Sequence, residues 1–124
     1  MDGELRTVRS ASRWQEVAAA RIHEIRVRWR LTSDRSFSQK LCVDARTVAK
    51  LNRFNPDPTL SYKAVIGIFR TLYYLAPSFF PGISRLTEER RLVQDAMFDV
   101  VNAATPMSER LLKTLSEAID DAQL

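Results

Sequence analysis

Apolar residues recur along this chain at helical spacing. Trp14, Ala18, Ile22, Ile25 and Trp29 follow one another by four, four, three and four residues, which sets them on one face of an amphipathic helix. Arg21, Arg26, Arg28 and Arg30 fall on its other faces. Leu31-Thr32-Ser33 ends the pattern and offers a hydroxyl cap for the next helix. Between Asp34 and Phe54 the periodicity predicts two short helices broken near Cys42-Val43-Asp44, with Asp44 placed to cap the second. Asn55-Pro56-Asp57-Pro58 reads as a loop. Thr59 or Ser61 then caps a helix to about Leu75, where Ala64, Val65, Ile68, Phe69, Leu72 and Leu75 predict the most buried helix. Gly67 in its middle costs about 1 kcal/mol against alanine, which a close helix–helix approach would explain.

The run Ala76-Pro77-Ser78-Phe79-Phe80-Pro81-Gly82 predicts another break. Thr87 caps a helix with the stripe Val93, Met97, Val100, Val101 and Ala104, and Thr105-Pro106 restarts the chain. A last helix carries Met107, Leu111, Leu115, Ala118 and Ile119 on one side. The expectation is an all-α fold of about six helices. A flexible basic arm spans 1–13, a four-helix unit 14–83, and a C-terminal helical hairpin 84–124. The hairpin is expected to form the dimer contact, since the surplus apolar surface, including Leu112, Met97 or Phe80, calls for a partner copy.

Composition agrees with this reading. With 45% hydrophobic and 27% charged residues and only three glycines, the chain has the make-up of a folded helical protein rather than a disordered one. A single cysteine excludes an internal disulfide. No apolar run approaches a membrane span and the first residues lack a signal-peptide core, so no membrane partner and a cytoplasmic location are expected. Charge is uneven. Residues 1–53 hold twelve basic and six acidic side chains, whereas 54–124 hold seven and nine. A basic front half of this kind suits a polyanion at one end of the molecule.

Catalytic chemistry finds little support. His23 is the only histidine, so neither a multi-histidine metal site nor a second imidazole base is available. Asp95 and Asp99 share a helix face without further ligands and read as a solvated acidic face. Cys42 reads as a small buried apolar residue. Trp14, Trp29, Tyr73 and Tyr74 read as core or interface, with Phe79-Phe80 left on a loop as a subunit contact. There is no phosphate-cradling glycine loop or nucleophile elbow, and no enzyme activity, metal or cofactor is expected.

Residues 31–53, LTSDRSFSQKLCVDARTVAKLNR, can be laid without a gap on the helix-turn-helix of the Cro/CI-type (Xre) repressor family, which they resemble. Phe37, Leu41, Val43, Val48 and Leu51 stand where two crossing helices need apolar contacts, and Ser38 where they need a small residue. The preceding amphipathic helix, the Asn-Pro-Asp-Pro loop and the apolar helix after it stand where the family has its first helix, loop and fourth helix. Residues 84–124 lie outside the resemblance. It implies a dimeric regulator, a repressor of phage or antitoxin kind that autoregulates its operon, with double-stranded DNA as partner. A further protein partner remains open, as does an adaptor or inhibitor that reuses the scaffold without binding DNA.

On the family's pattern the second short helix reads the major groove. Ala45, Arg46, Thr47, Ala49 and Lys50 then stand on or beside its outer side. Arg46 is the candidate base reader, since a guanidinium bonds guanine O6 and N7 bidentately, and Lys50 reaches a base edge or a phosphate. Arg35 and Arg53, with Asn52 and Asn55 beside them, are candidate phosphate contacts. Arg6 and Arg9 extend from the arm toward a minor groove. Two positions depart from the family. Cys42 stands where a left-handed backbone commonly takes glycine, at about 1–2 kcal/mol. Asp34 stands where glutamine is frequent, and needs Arg35 or Arg30 to neutralise it.

Overall fold

The computed structural model describes residues 10–105 and Glu117. Among them the fold is all-α, with five helices: α1 (Arg13–Arg28), α2 (Asp34–Leu41), α3 (Ala45–Lys50), α4 (Tyr62–Phe79) and α5 (Ile83–Ala104). The end of the basic arm with Arg6 and Arg9, and the last helix expected over 106–122, lie outside the described residues. No helix in the described part is long and apolar enough to cross a membrane.

The apolar stripe of α1 faces inward as its spacing predicts. Ala18, Ile22, Ile25 and Trp29 are buried and Trp14 is half-buried. Around them close Phe37 and Leu41 of α2, Val48 of α3, Val65, Ile68, Phe69 and Leu72 of α4, and Val93, Ala96 and Val100 of α5. The helix beginning at Ile83 therefore shares one core with residues 14–80. It lies antiparallel to α1, and its carboxylates meet α1 arginines along the seam. Arg21 Nε donates to Asp99 Oδ2 at 2.9 Å, and Arg28 bonds both Glu88 (2.9 Å) and Glu89 (2.7 Å). Glu89 is fully buried, a charge made tolerable by the guanidinium against it. Asp99 is thus ion-paired and not simply a solvated acid.

Local chemistry explains the helix ends. Ser33 Oγ, Asp44 Oδ1 and Ser61 Oγ accept the first-turn amides of Ser36, Arg46 and Ala64, capping α2, α3 and α4. At the start of α1, Gln15 Oε1 accepts from Ser12 N at 2.7 Å. Its buried amide also donates to the carbonyls of Pro58 and Leu60, tying this helix to the proline loop.

Four expectations are corrected. The break expected at residues 76–82 starts later, because α4 continues through Pro77 to Phe79. Proline has no N–H for the Tyr73 carbonyl four residues earlier, and Arg90 Nε donates to it instead at 3.2 Å. Phe79 and Phe80 consequently pack inward on Trp29, with ring centroids at 5.4 and 5.2 Å. Thr87 does not begin α5. Gly82 occupies the N-cap position, and the Thr87 hydroxyl turns back to Ile83 O at 3.0 Å within the helix. Gly67, expected at a close approach, is exposed, and a Cβ added there meets nothing within 4 Å. The helix that carries it is accordingly buried on one side only, with Tyr62, Lys63, Arg70 and Tyr74 on the open side.

Candidate nucleic-acid interface

Two short helices, α2 and α3, are joined by the three residues Cys42, Val43 and Asp44. Cys42 ends α2 at φ 54° and ψ 42°, the left-handed conformation expected at that position. Val43 N then reaches back to Ser38 O at 3.0 Å while Ser38 Oγ donates to Val43 O at 2.6 Å. Serine fits because its small side chain lets the turn close on α2 and also supplies a hydroxyl to the turn's carbonyl. Phe37, Leu41, Val48 and Leu51 are buried beneath the unit, and Val43 is half-buried. Cys42 itself is exposed, contrary to the expected small buried residue.

The outer side of this unit carries the candidate contacts. Ala45, Arg46 and Ala49 are exposed on α3, while Thr47 and Lys50 are half-buried. Arg35 is exposed on the first turn of α2, and Arg53 is exposed just after α3. Among the described residues, none of Arg35, Arg46, Lys50 and Arg53 has an ion-pair partner, whereas Arg21, Arg26 and Arg28 of α1 all do. Arg21, Arg26 and Arg28 bond carboxylates of the protein itself, whereas Arg13 and Arg30 at either end of that helix, like Arg35, Arg46 and Arg53, are exposed without an ion pair among the described residues. Lys50 is half-buried and within electrostatic reach of Asp57.

Asp34 is neutralised by Arg26, not by Arg35 or Arg30. Arg26 Nη2 lies 2.8 Å from Asp34 Oδ1, and the same guanidinium donates to the carbonyls of Leu31 and Thr32. It also covers the Phe37 ring at 4.7 Å. Arg26 is thereby mostly buried and unavailable to a ligand. Asp44 likewise spends its carboxylate on the Arg46 amide at 2.8 Å. Asp34 is thus ion-paired, whereas Asp44 is exposed and has no ion pair among the described residues.

A cleft of about 280 Å³ separates the start of α2 from the end of α3, lined among others by His23, Asp34, Ala49, Asn52, Arg53 and Phe54. It sets the first turn of α2 beside Arg53. The loop after α3 is tied by hydrogen bonds. Asn52 Oδ1 accepts the amides of Phe54 (3.0 Å) and Asn55 (3.2 Å), so its oxygen is a loop cap. Asp57 N donates to Lys50 O at 3.0 Å. The Thr59 hydroxyl and amide both donate to Asp57 and hold its carboxyl below the ordinary value. Phe54, which periodicity did not single out, projects from this loop at 87% exposure. The only hint in the sequence is an aromatic residue directly after Arg53 with no apolar partner in helical phase.

Among the described residues no group of three or more His, Cys, Asp or Glu side chains is gathered to hold a metal ion. Comparison of the chain with protein-family models, with curated proteins and with solved structures found no match.

Proposed function

We propose that this chain is a sequence-specific regulator that binds double-stranded DNA in the cytoplasm, with α2 and α3 as its helix-turn-helix and α3 laid in the major groove. The observation that carries the reading is the gathering of uncommitted cations: Arg35, Arg46 and Arg53 are exposed without ion pairs among the described residues, with half-buried Lys50 among them, while Arg26 beneath them is bound to Asp34. An array of this kind suits a regular polyanion, and the exposed face of a short helix suits a groove. Arg46 reads a guanine edge; Ala45 and Ala49 keep the helix surface low enough for close approach, with Thr47 beside them. Lys50 takes a base edge or phosphate, and Arg35 and Arg53 take phosphates. The regulator acts as a dimeric repressor on a two-fold operator.

Fluorescence anisotropy with labelled duplex DNA over a range of salt concentrations tests this reading. The affinity should fall linearly in log–log form, with a slope reporting several released counterions. Absence of salt-dependent binding to any duplex from a random pool would sink it. One observation favours a protein-binding adaptor instead. Tyr74 and Phe98 are 68% and 53% exposed, and Tyr74 borders a depression formed by Phe69, Tyr73, Val93 and Met97 between α4 and α5. An adaptor would use that apolar surface for its protein partner, and the DNA titration separates the two readings.

A further inference from the structure

Phe54 has no role in folding that its surroundings reveal, yet it is held out firmly. Its amide and that of Asn55 are fixed by Asn52, Pro56 behind it is buried, and the Asp57 amide is bonded to the Lys50 carbonyl. The far end of the loop is fastened by Gln15 Nε2 to the carbonyls of Pro58 (2.8 Å) and Leu60 (3.1 Å). These bonds fix the backbone that carries Phe54, and its ring stands 87% exposed. The Arg53 guanidinium lies 5.3 Å from the ring centroid, so cation and ring form one composite surface. Both side chains line the cleft that also holds Asp34 of α2 and Ala49 of α3, so the pair stands beside the recognition helix.

We propose that Arg53 and Phe54 form a second DNA-contacting element beside the recognition helix. The ring packs on a deoxyribose and the adjoining base edge, and the guanidinium takes the neighbouring phosphate. This deepens the proposed function and rests on it. The chemistry fits because each nucleotide alternates an anionic phosphate with an apolar sugar face, and an adjacent Arg–Phe pair offers the two complements in the same order. Aromatic contacts to nucleic acid are sequence-tolerant, so the element adds grip outside the bases read by α3.

The two halves of the pair have different salt signatures. Phe54→Ala should weaken binding of the full chain to a mixed-sequence duplex about tenfold at every salt concentration, with the log–log slope unchanged. Phe54→Trp should keep parental affinity, and the melting temperature of Phe54→Ala should not fall, since the ring is exposed. Arg53→Ala should lower the slope by about 0.9. Lys50→Ala and Arg46→Ala report on the DNA reading itself. If these weaken binding while Phe54→Ala does not, the Phe54 contact is overturned and the DNA reading stands. If the affinity loss of Phe54→Ala comes with a lower melting temperature, the ring acts through the fold and the proposal fails. A parent chain that binds no duplex overturns both, and leaves Phe54 to a protein surface.

Discussion

The guanidinium of Arg26 and the carboxylate of Asp34 meet at 2.8 Å across the junction of α1 and α2, and this pairing decides which charges the α2–turn–α3 unit presents. Asp34 is 71% exposed at its side chain while Arg26 is 11% exposed, so the acid stands at the surface and its counter-charge lies beneath. Near a phosphate backbone the residual field of that acid is unfavourable. Asp34→Asn keeps an acceptor for Arg26 and removes the charge. It should tighten binding to duplex DNA about two- to fivefold at low salt, and the gain should shrink as salt is added. Unchanged or weakened binding would show that Asp34 faces away from the ligand.

Arg46→Ala and Arg53→Ala should differ in kind. The first should cost about 1–3 kcal/mol on a selected site and relax preference at one guanine, the loss of a bidentate base contact. The second should weaken all duplexes alike and reduce the salt slope by about 0.9. Titration of both variants against selected and mixed duplexes checks the assignment, and an exchange of the two behaviours would reverse the roles.

Glu89 and Arg28 govern the attachment of α5 to α1. Arg28→Ala strands a fully buried carboxylate and should cost about 2–3 kcal/mol in urea denaturation, below the usual figure for a broken buried pair because the arginine is 45% exposed. Glu89→Gln retains an acceptor for Arg28 Nε and should cost less. Equal costs would mean that the charge itself, not the stranded group, dominates.

Much of this architecture was legible in local sequence. The stripe of α1, the caps at Ser33, Asp44 and Ser61, and the left-handed turn at Cys42 each depend on residues within a few positions. What escaped depends on distant partners. Glu89 sits in a run of charges and reads as solvated until Arg28, 61 residues away, is placed against it. Pro77 reads as a helix breaker until Arg90 supplies the missing donor. The four cations of the candidate site were legible as residues, but their availability was not, because it depends on where α5 and Asp34 direct the other arginines.

Two backbone positions carry opposite, correctable costs. Cys42 holds a left-handed conformation that disfavours a Cβ, and its exposed side chain packs little that glycine would forfeit. Cys42→Gly should stabilise the fold by about 1 kcal/mol. Gly67 has ordinary helical backbone with open space about it, so Gly67→Ala should also add about 1 kcal/mol. Thermal melts of the two single variants and the double should show near-additive gains, since the sites share no partner. A loss at residue 67 would point to a neighbour not seen in this fold.

The apolar stripe of residues 106–124 can be tested for a dimer contact only if α5 is kept. Ending the chain before Ile83 would remove Val93, Ala96 and Val100 from the common core and leave Arg21 and Arg28 without their α5 partners, so that shorter form should not fold. Ending it after Thr105 keeps α1 to α5 whole. The chain ending at Thr105 should retain its helical circular-dichroism signal and sediment as a monomer, while the full chain sediments as a dimer. It should also bind duplex DNA more weakly, because a single copy engages one half-site and loses the effective concentration that the second supplies. A shortened chain that still dimerises would move the interface to the α4–α5 surface around Tyr74 and Phe98. A full chain that sediments as a monomer would remove the dimer from the proposal and leave that surface to a different protein.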